Sequence, residues 1–370
     1  MAGHAGSGET TEDGRTVTVT LGQPLAPDAE LFGTLAQGIW ERARWSNGGP
    51  LVAELERGLE EAAGWRHVVA TASGTSALTT ALLALGLPRG GEVITSPLTF
   101  RATPLAIEAA GLTPVFVSSD PHTLTLDPSA VEQAIHARTV AILPVHLFGV
   151  ATDTALDVLA EAHGLPVVYD AAHAYGFADI VGRGTATAYS LHATKLLHTG
   201  EGGFVATDDG QLDQRLRHAV NFGIDRDHDL HAGINGKMSE LAAAVGLATF
   251  PRLSAEVAAR ESLRLAYATA AESSSRVRVH APERRRALVM DVVRCDPQEQ
   301  ASIIRELAEH DVIARGFPAL CGEGERYADR PVVGSTARDT DELSRSAIAL
   351  PFHGRVQQRH IDSISEVFSS

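Results

Sequence analysis

Cysteine is almost absent from this chain of 370 residues, which contains only two, Cys295 and Cys321. Two cysteines cannot build the disulfide framework that small secreted domains use, and neither lies in a cluster with the spacing of metal ligands. The scarcity of thiols therefore indicates a protein of the reducing cytoplasm that holds no metal.

The chain also lacks an excess of positive charge, a long apolar run and a basic leader. Its net charge is −15, which argues against nucleic acid or an anionic membrane as the main partner. No run approaches the roughly 18 apolar residues of a membrane span. Residues 1–15 are rich in Gly, Thr and Glu and do not resemble a secretory signal. We expect them to be disordered and the protein to be cytoplasmic.

What the chain does contain, between Trp65 and Val205, is an alternation of short β-branched runs with Ala-rich segments. The runs predict strands at His67–Ala70, Glu92–Ser96, Pro114–Ser118, Val140–Val145 and Pro166–Asp170. The segments between them predict helices at Thr75–Leu85, Pro104–Ala110, Pro128–His136 and Thr154–His163. This alternation is typical of an α/β protein with a mostly parallel sheet, whose ligands lie beyond the carboxyl ends of the strands.

The pattern changes after an Ala/Leu-rich helix predicted for Met238–Thr249. The remaining chain predicts strands at Val277–His280 and Ala287–Val293, helices at Gln298–His310 and His360–Phe368, and a loop over Gly322–Asp341. We therefore expect an N-terminal arm and a large domain over residues 16–254, followed by a small α+β domain over residues 255–370.

A turn of small residues, Ala72–Ser76, lies between the first predicted strand and an Ala-rich helix. Backbone N–H groups at a helix N-terminus favour a phosphate group, but a simple Ser/Thr cap explains the same residues equally well. The patterns GxGxxG and GxxxxGK[ST] are absent from the sequence. A dinucleotide site or a P-loop therefore has little support.

Two ionisable residues follow later strands. Asp170 ends a buried strand, where a carboxylate needs a cationic partner such as a protonated pyridine nitrogen, unless it only caps the next turn. Lys195 lies among small residues and hydroxyls, where partial desolvation lowers the pKa of an amine and makes it nucleophilic. A lone lysine is more often a surface charge. Phe100 follows another strand end, where it can stack on a planar group or belong to the core.

Several segments, taken in order and with their spacing, resemble the sugar aminotransferases of the DegT/DnrJ/EryC1/StrS family. These are fold type I enzymes that depend on pyridoxal 5′-phosphate (PLP), with a large domain and a smaller C-terminal α+β domain. The resemblance runs from about Trp45 to the C-terminus and rests on Ser46–Gly49, Ala72–Leu78, Thr99–Thr103, Gly111–Val117, Val145–Gly149, Tyr169–Ala174, Ser190–Gly203, Gly233–Glu240 and Leu350–His353.

The resemblance implies a role for each candidate residue. Lys195 is expected to form the internal aldimine with PLP and to move protons as the catalytic base and acid, and Asp170 to pair with the pyridine nitrogen. The other implied cofactor contacts are stacking by Phe100, a contact near the phenolic oxygen by His173, contacts around the phosphate by Ser73, Gly74, Thr75 and Ser190, and a phosphate contact from the partner subunit by Asn235. This last contact implies a homodimer with shared active sites.

The resemblance also implies a reaction. An amino acid, typically glutamate in this family, would convert PLP to pyridoxamine 5′-phosphate, which would then aminate a nucleotide-linked keto sugar. The segments around Lys195 and Asn235 look most like enzymes that act at C-4 of a dTDP-4-keto-6-deoxyhexose. Lys237 stands where the family usually has arginine, so the planar fork of a guanidinium is missing there.

Alternatives stay open at this point. Within the family they are amination at C-3 of a keto sugar and amination of an inosose. From other classes come a PLP-binding regulatory protein without turnover and a cysteine desulfurase that would use Cys321. The first would need a DNA-binding segment that the acidic chain lacks, and an incidental thiol is the stronger interpretation of the second.

Overall fold

The structure, a computed structural model, describes residues 18–176, 184–224, 232–317, 326–327 and 329–370. The segment at residues 1–15 that we expected to be disordered lies outside the described residues, and so does Cys321.

One mixed sheet organises the large domain. Its strands are β1 (His67–Thr71), β2 (Glu92–Thr95), β3 (Thr113–Val117), β4 (Thr139–Leu143), β5 (Val168–Asp170), β6 (Ala186–Ser190) and β7 (Gly203–Thr207). Two ladders, β1-β7-β6-β5 and β4-β2-β3, are joined by parallel bridges from Ile142 to Val167 and from Val145 to Asp170. All pairs in the sheet are parallel except those that β7 makes with β6 and β1. The prediction of a mostly parallel central sheet is confirmed.

The direction of β7 follows from its connection. Residues 191–202 join β6 to β7 and contain no helix. A parallel strand needs a crossover that is usually helical, whereas a compact connection returns the chain antiparallel. Lys195 lies in this connection, at the edge of the sheet where β6 ends and β7 begins.

Helices cover both faces of the sheet, as its buried strands require. They are α1 (Ala29–Arg42), α2 (Pro50–Ala63), α3 (Gly74–Ala84), α4 (Ala102–Ala109), α5 (Pro128–Ala134), α6 (Ala155–Ala162), α7 (Gly210–Ala219) and α8 (Glu240–Thr249). Successive residues of β7 face different cores, with Phe204 packed toward Leu55 of α2 and Val205 toward Ala77 of α3. This alternation fixes the register of the strand.

A helical stretch of 33 residues, Glu240–Glu272, is long and apolar enough to cross a membrane by length and composition alone. It consists of α8, a 3₁₀ turn at Phe250–Arg252 and α9 (Leu253–Glu272). The apolar part packs against α1 and α2 through alanines such as Ala243 and Ala244. Packing within the fold therefore buries part of this stretch, about 33% of its apolar window.

The C-terminal part forms a second, antiparallel sheet in the order β10-β12-β9-β8. Its strands are β8 (Val277–Val279), β9 (Asp291–Cys295), β10 (Arg315–Gly316) and β12 (Ala347–Leu350). The helices α9, α10 (Gln300–Glu309) and α12 (Gln358–Ser369) pack on one face of this sheet. Val293, Ile303 and Ile364 lie in the core between them.

Two secondary-structure predictions in this part are wrong. The strand predicted from Ala287 begins only at Asp291, because the carbonyls of Leu288 and Val289 bond the Arg260 guanidinium instead of a neighbouring strand. The loop predicted over Gly322–Asp341 contains β11 (Val332–Val333), which pairs with β3, and the start of α11 (Ala337–Arg345). β11 lies beyond residue 255 in the sequence, yet it belongs to the large sheet. The domain boundary at residue 255 therefore stays a prediction.

Candidate active site

The carboxyl ends of β1, β5 and β6 meet around the start of β7. Gly203 lies opposite both Thr71 of β1 and Ser190 of β6, and Asp170 of β5 lies opposite Ala188 of β6. The strand registers thus bring three separated segments to one edge of the sheet. This is the edge at which open α/β sheets bind their ligands.

Two glycines make this convergence sterically feasible. A Cβ atom on Gly203 would lie 2.7 Å from the backbone nitrogen of Gly74, and a Cβ on Gly74 would lie 2.9 Å from Cβ of Ser190. Real Cβ atoms do not approach so closely, so side chains are excluded at both positions. The first turn of α3 is therefore held against the end of β6.

The N-terminus of α3 offers donors to an anion. Ser73 is the N-cap, and its hydroxyl accepts a hydrogen bond from the Ser76 N–H at 3.0 Å. The cap interpretation of this turn is thus correct for Ser73, whose side chain is already used. The N–H groups of Gly74 and Thr75 have no helical partner by their position in the first turn, and Thr75 is exposed. The end of the helix and the nearby Ser190 hydroxyl suit a phosphate group.

Asp170 is buried, with only 4% of its surface exposed. Its Oδ2 accepts from the Thr103 hydroxyl at 2.7 Å and its Oδ1 from the Ala172 N–H at 3.1 Å. Burial raises the pKa of this carboxyl, while the two donors and the charge of Lys195 oppose the shift. Within the described part of the chain, no cationic side chain lies at ion-pair distance from it. Asp170 is therefore a buried carboxylate that a cation would stabilise, and the described part of the chain supplies none in direct contact.

Sequence reasoning missed the role of Thr103. Its hydroxyl also bonds the Thr99 hydroxyl at 2.6 Å, so a pair of threonines spans the N-terminus of α4 and ends on Asp170. The spacing of four residues between Thr99 and Thr103 was visible in the sequence, but nothing there indicated that the partner lay 67 residues further on.

Lys195 lies in the β6–β7 connection, where its N–H donates to the His192 carbonyl at 2.8 Å. Desolvation by the surrounding protein lowers the pKa of the Lys195 amine to about 8, and the negative charge of Asp170 opposes this shift. The uncharged, nucleophilic form of the amine is therefore far more populated near neutral pH than it is for a lysine of ordinary pKa.

His173 and Phe100 complete the surroundings. Burial and the charge of Lys195 lower the pKa of His173 well below its usual value, so its imidazole is neutral. The Phe100 side chain is 62% exposed, which is unusual for a large aromatic group. Its carbonyl accepts from the Thr103 N–H at 3.1 Å, so the loop that carries Phe100 is tied to the helix that contacts Asp170.

Asn235 is not brought into contact with these residues within one chain. Its Oδ1 accepts from Lys237 Nζ at 2.8 Å, and Lys237 lies 4.3 Å from the ring centroid of Phe222. A bridge from Lys237 to Thr71 fixes this segment beside β1. Asn235 itself is exposed on the surface.

Four histidines of the described residues contact neighbouring groups of the fold. His198 bonds the Leu25 carbonyl at 2.6 Å and His353 bonds the Thr20 carbonyl at 3.0 Å, so both hold the N-terminal arm. His146 is buried and stacks on Tyr169, with ring centroids 4.9 Å apart. His192 bonds the Thr194 hydroxyl at 2.9 Å. Across the described residues, no group of three or more His, Cys, Asp and Glu side chains is placed to hold a metal ion.

The arrangement fits one kind of ligand. It offers helix N–H groups and hydroxyls for a phosphate, an exposed aromatic ring for a planar group, a buried carboxylate for a cationic ring nitrogen, and a weakly basic amine for a carbonyl carbon. Each of these protein groups follows the end of a different strand. A single ligand that has a phosphate, a planar ring with a cationic nitrogen, and a carbonyl carbon could contact all of them.

Relatives with curated descriptions are sugar transaminases. The chain is 39% identical over 231 residues to the dTDP-4-amino-4,6-dideoxy-D-glucose transaminase of Shigella dysenteriae, which covers 61% of this chain and 62% of the relative. It is 36% identical over 257 residues to the enzyme of that name from Escherichia coli, covering 68% and 69%. The match thus spans about two thirds of the length of these relatives.

Solved structures share the fold over nearly the whole chain. The crystal structure of DesI in the presence of its TDP-sugar product has a TM-score of 0.87 and 32% identity, covering 95% of this chain and 92% of DesI. The crystal structure of S. venezuelae DesV in complex with a ketimine intermediate has a TM-score of 0.84 and 28% identity. The match covers 94% of this chain and 98% of DesV. The fold class predicted from the sequence is therefore confirmed.

The family model matches residues 29–369, from the start of α1 almost to the last residue. This chain belongs to the DegT/DnrJ/EryC1/StrS aminotransferase family.

Proposed function

We propose that this protein is a PLP-dependent aminotransferase that transfers an amino group from an amino acid to a nucleotide-linked keto sugar. The observation that carries the proposal is the combination of Lys195, whose amine is weakly basic, with Asp170, a buried carboxylate without a directly bound cation. Few structural roles would require both groups at one sheet edge.

PLP, when bound, supplies an electron sink that stabilises negative charge on the substrate carbon. The chain's own residues supply the rest. Asp170 would keep a ring nitrogen protonated, Gly74 and Thr75 with Ser190 would hold the phosphate, and Phe100 would cover one face of the ring. The Lys195 amine, with its lowered pKa, would accept and return the proton at the reacting carbon.

The substrate belongs to the same proposal. The names of the Shigella and E. coli relatives and the TDP-sugar product of DesI support a dTDP-4-keto-6-deoxyhexose as the amino acceptor. L-glutamate is the donor that we expect from the family pattern. A relative of 35% identity from Pseudomonas aeruginosa is named for a UDP-linked 3-oxo sugar, which favours amination at C-3 as the second candidate.

We also propose that two copies of the chain share their active sites. Asn235 is exposed and lies away from Asp170 and Lys195 of its own chain, so it is available to a neighbouring subunit. Trp40 and Phe222 are 61% and 51% exposed, more than a monomer would leave to water without a reason.

The test of the cofactor site uses the small number of lysines. The chain contains two, Lys195 and Lys237. Borohydride reduction of the PLP-loaded protein, followed by peptide mass spectrometry, should place the label on Lys195. Lys195→Ala should lose the visible absorbance of lysine-bound PLP, and the matched variant Lys237→Ala should keep it. A label confined to Lys237, or full absorbance in Lys195→Ala, contradicts the proposal.

The substrate is tested on the aminated form of the holoenzyme. After incubation with L-glutamate and removal of the free amino acid, dTDP-4-keto-6-deoxyglucose should restore the PLP absorbance within one turnover. A UDP-linked 3-keto sugar and an inosose serve as competitors. Recovery with either of these alone would overturn the proposed substrate while leaving the aminotransferase activity in place.

Sharing of the site is tested by subunit mixing. Lys195→Ala and Asn235→Ala homodimers should each be inactive or weakly active. When they are mixed and allowed to exchange, each hybrid dimer regains one site with both residues intact, and activity should reappear. If mixing restores nothing although exchange is shown by mass spectrometry, Asn235 does not serve a partner's site.

A further inference from the structure

A second cavity, of about 890 Å³, lies at the carboxyl end of β3, between the large sheet and the small-domain sheet. The residues around it include Ser118 and Ser119, which follow β3, and Arg278 and Arg294 of the small-domain sheet. None of the residues proposed above for the cofactor lines this cavity. Its volume is that of a site for a small molecule.

Arg278 and Arg294 face each other across β8 and β9. Their Cα atoms are direct partners in the antiparallel register, so the two side chains lie on the same face of the sheet. Like charges directly opposite on adjacent strands destabilise a sheet. Both side chains line the 890 Å³ cavity and a smaller adjoining cavity of about 380 Å³.

Arg294 is buried, with 5% of its surface exposed, yet it has no carboxylate at ion-pair distance among the described residues. One of its terminal nitrogens donates to the Pro121 carbonyl at 3.0 Å, while its buried Nε has no hydrogen-bond partner. Burial and the charge of Arg278 lower the pKa of Arg294 to about 10. A guanidinium in this position is electrostatically unfavourable without an anion.

A neighbouring histidine also feels the positive charge of the pair. His280 lies two residues beyond Arg278 on the chain, and burial together with Arg294, Arg286 and Arg278 lowers its pKa to about 3. Its imidazole is therefore neutral. Asp120 is the carboxylate whose charge raises the pKa of Arg294. Its Oδ1 already accepts from the N–H groups of His122 and Thr123, at 2.9 and 2.8 Å.

The acidic residues of the cavity wall have partners of their own, and three of them are exposed at the surface. Asp127 caps α5 and Asp339 caps α11, Asp296 accepts from the Gln298 N–H, and Glu299 and Glu342 lie near Arg276 and Arg338. Carboxylates at a cavity wall accept hydrogen bonds from hydroxyl groups, whereas the arginine pair and the serine hydroxyls bind phosphate oxygens.

From this juxtaposition we infer that the cavity beside Arg278 and Arg294 is a second binding site, for a small phosphorylated polyol such as a sugar phosphate. The phosphate lies between the two guanidinium groups, and the hydroxyls of the ligand face the carboxylates. This site does not depend on the proposed aminotransferase activity, since it shares no residue with the cofactor site.

The test measures binding of glucose 6-phosphate to the PLP-loaded holoenzyme by isothermal titration calorimetry. Loading with PLP keeps the phosphate seat at α3 from contributing to the signal. We expect saturable binding by the unmodified protein, an affinity at least about tenfold weaker in Arg278→Gln, and an unchanged affinity in Arg315→Gln. This matched control removes an exposed arginine from the other edge strand of the same sheet. Glucose, at the same concentration, should give no saturable signal.

Arg278 is the informative position because Arg294 also anchors the Pro121 carbonyl, so its loss could unfold the loop. Arg278→Gln should in addition raise the Tm of the ligand-free protein, since it removes the like-charge contact. The absence of saturable binding, or equal affinities in Arg278→Gln and the unmodified protein, overturns the inference. PLP loading is read independently from the visible absorbance, so a failure of the cofactor site and a failure of this site are distinguishable.

Discussion

Two aspartates of this fold are equally buried and have opposite surroundings. Asp170, at the end of β5, and Asp291, at the start of β9, each expose 4% of their surface. Asp291 Oδ1 accepts from Arg286 at 2.8 Å, and Arg264 lies 3.7 Å from Oδ2. Among the described residues, the donors to Asp170 are the Thr103 hydroxyl and the Ala172 N–H.

We propose that this difference separates a structural carboxylate, Asp291, from one that serves a ligand, Asp170. Burial raises the pKa of both carboxyl groups, but at Asp291 two guanidinium groups of the same chain oppose the shift. The chain thus contains the cations that a buried aspartate needs and places them at Asp291. Around Asp170 the described part of the chain places no cation at ion-pair distance, and the charge of Lys195 acts only from a distance.

The largest effect is expected for Asp170→Asn. Loss of the negative charge removes the partner of a protonated ring nitrogen, and transamination should fall on the order of 10³-fold. The free energy of unfolding of the apoprotein should change by less than about 1 kcal/mol, because the amide oxygen can accept from the Ala172 N–H while the amide nitrogen donates to the Thr103 hydroxyl oxygen. Activity assays and urea unfolding of the same preparation check both halves. A stability loss as large as that of Asp291→Asn would make Asp170 a structural residue.

Asp291→Asn should show the reverse pattern. Removing the charge leaves Arg286 and Arg264 without their shared partner, and we expect a loss of about 3 kcal/mol in the free energy of unfolding. The absorbance of bound PLP should stay unchanged in the protein that remains folded. Denaturant titration and visible spectra of the variant give the two readouts. Loss of PLP binding without loss of stability would erase the contrast between the two aspartates.

A smaller effect, on the stability of the apoprotein, is expected from substitution of Lys195. The pKa of Lys195 is about 8 in the folded protein and 10.5 as the ordinary value, so the unfolded chain binds more protons between these limits. Stability of the apoprotein should therefore rise with pH in this window. Lys195→Met removes the penalty of the buried charge and should be more stable below pH 8, by on the order of 2 kcal/mol.

This advantage of Lys195→Met should shrink as the pH rises toward 10.5 and disappear above it, because the amine is then largely neutral in both states. Urea unfolding of both apoproteins across the window measures the difference directly. Lys237→Met is the matched control, since Lys237 is only partly buried, beside Phe222. A difference between Lys195→Met and the parent that does not vary with pH would show that the amine is not desolvated.

The elements and the site were predictable from the sequence to different extents. Hydrophobic runs such as the one ending at Asp170 marked β1 to β5 to within about two residues, whereas no strand was predicted at the positions of β6 and β7. The direction of β7 was not predictable. It depends on whether residues 191–202 form a crossover helix, and their sequence has no pattern that decides this. The helix α11 was missed although Thr336 and Asp339 have the spacing of a capping box.

The sequence singled out Asp170 by its place at the end of a buried strand and Lys195 by its small and hydroxyl-bearing neighbours, and their roles at the site stay predictions. The segments of the site are brought together by the register of the strand pairs. For example, the register places Ser190 and Thr71 on the two sides of Gly203. Thr103 could not be assigned, because threonine is common and its partner lies on another strand. Its role therefore rests on the structure alone.

Thr103 provides the finest test of the comparison between the two aspartates. Thr103→Val keeps the shape of the side chain but removes the donor to Asp170 Oδ2, so the pKa of the carboxyl should rise further. A more easily protonated carboxyl holds a ring nitrogen less well at low pH. We expect transamination to fall about tenfold and the acid limb of its pH profile to move upward. Thr103→Ser should restore both, since it keeps the hydroxyl, whereas Thr99→Val removes only the outer hydroxyl and should have the smaller effect. An unshifted pH profile in Thr103→Val would mean that the hydroxyl stabilises α4 alone, and that the Ala172 N–H suffices to keep Asp170 ionised.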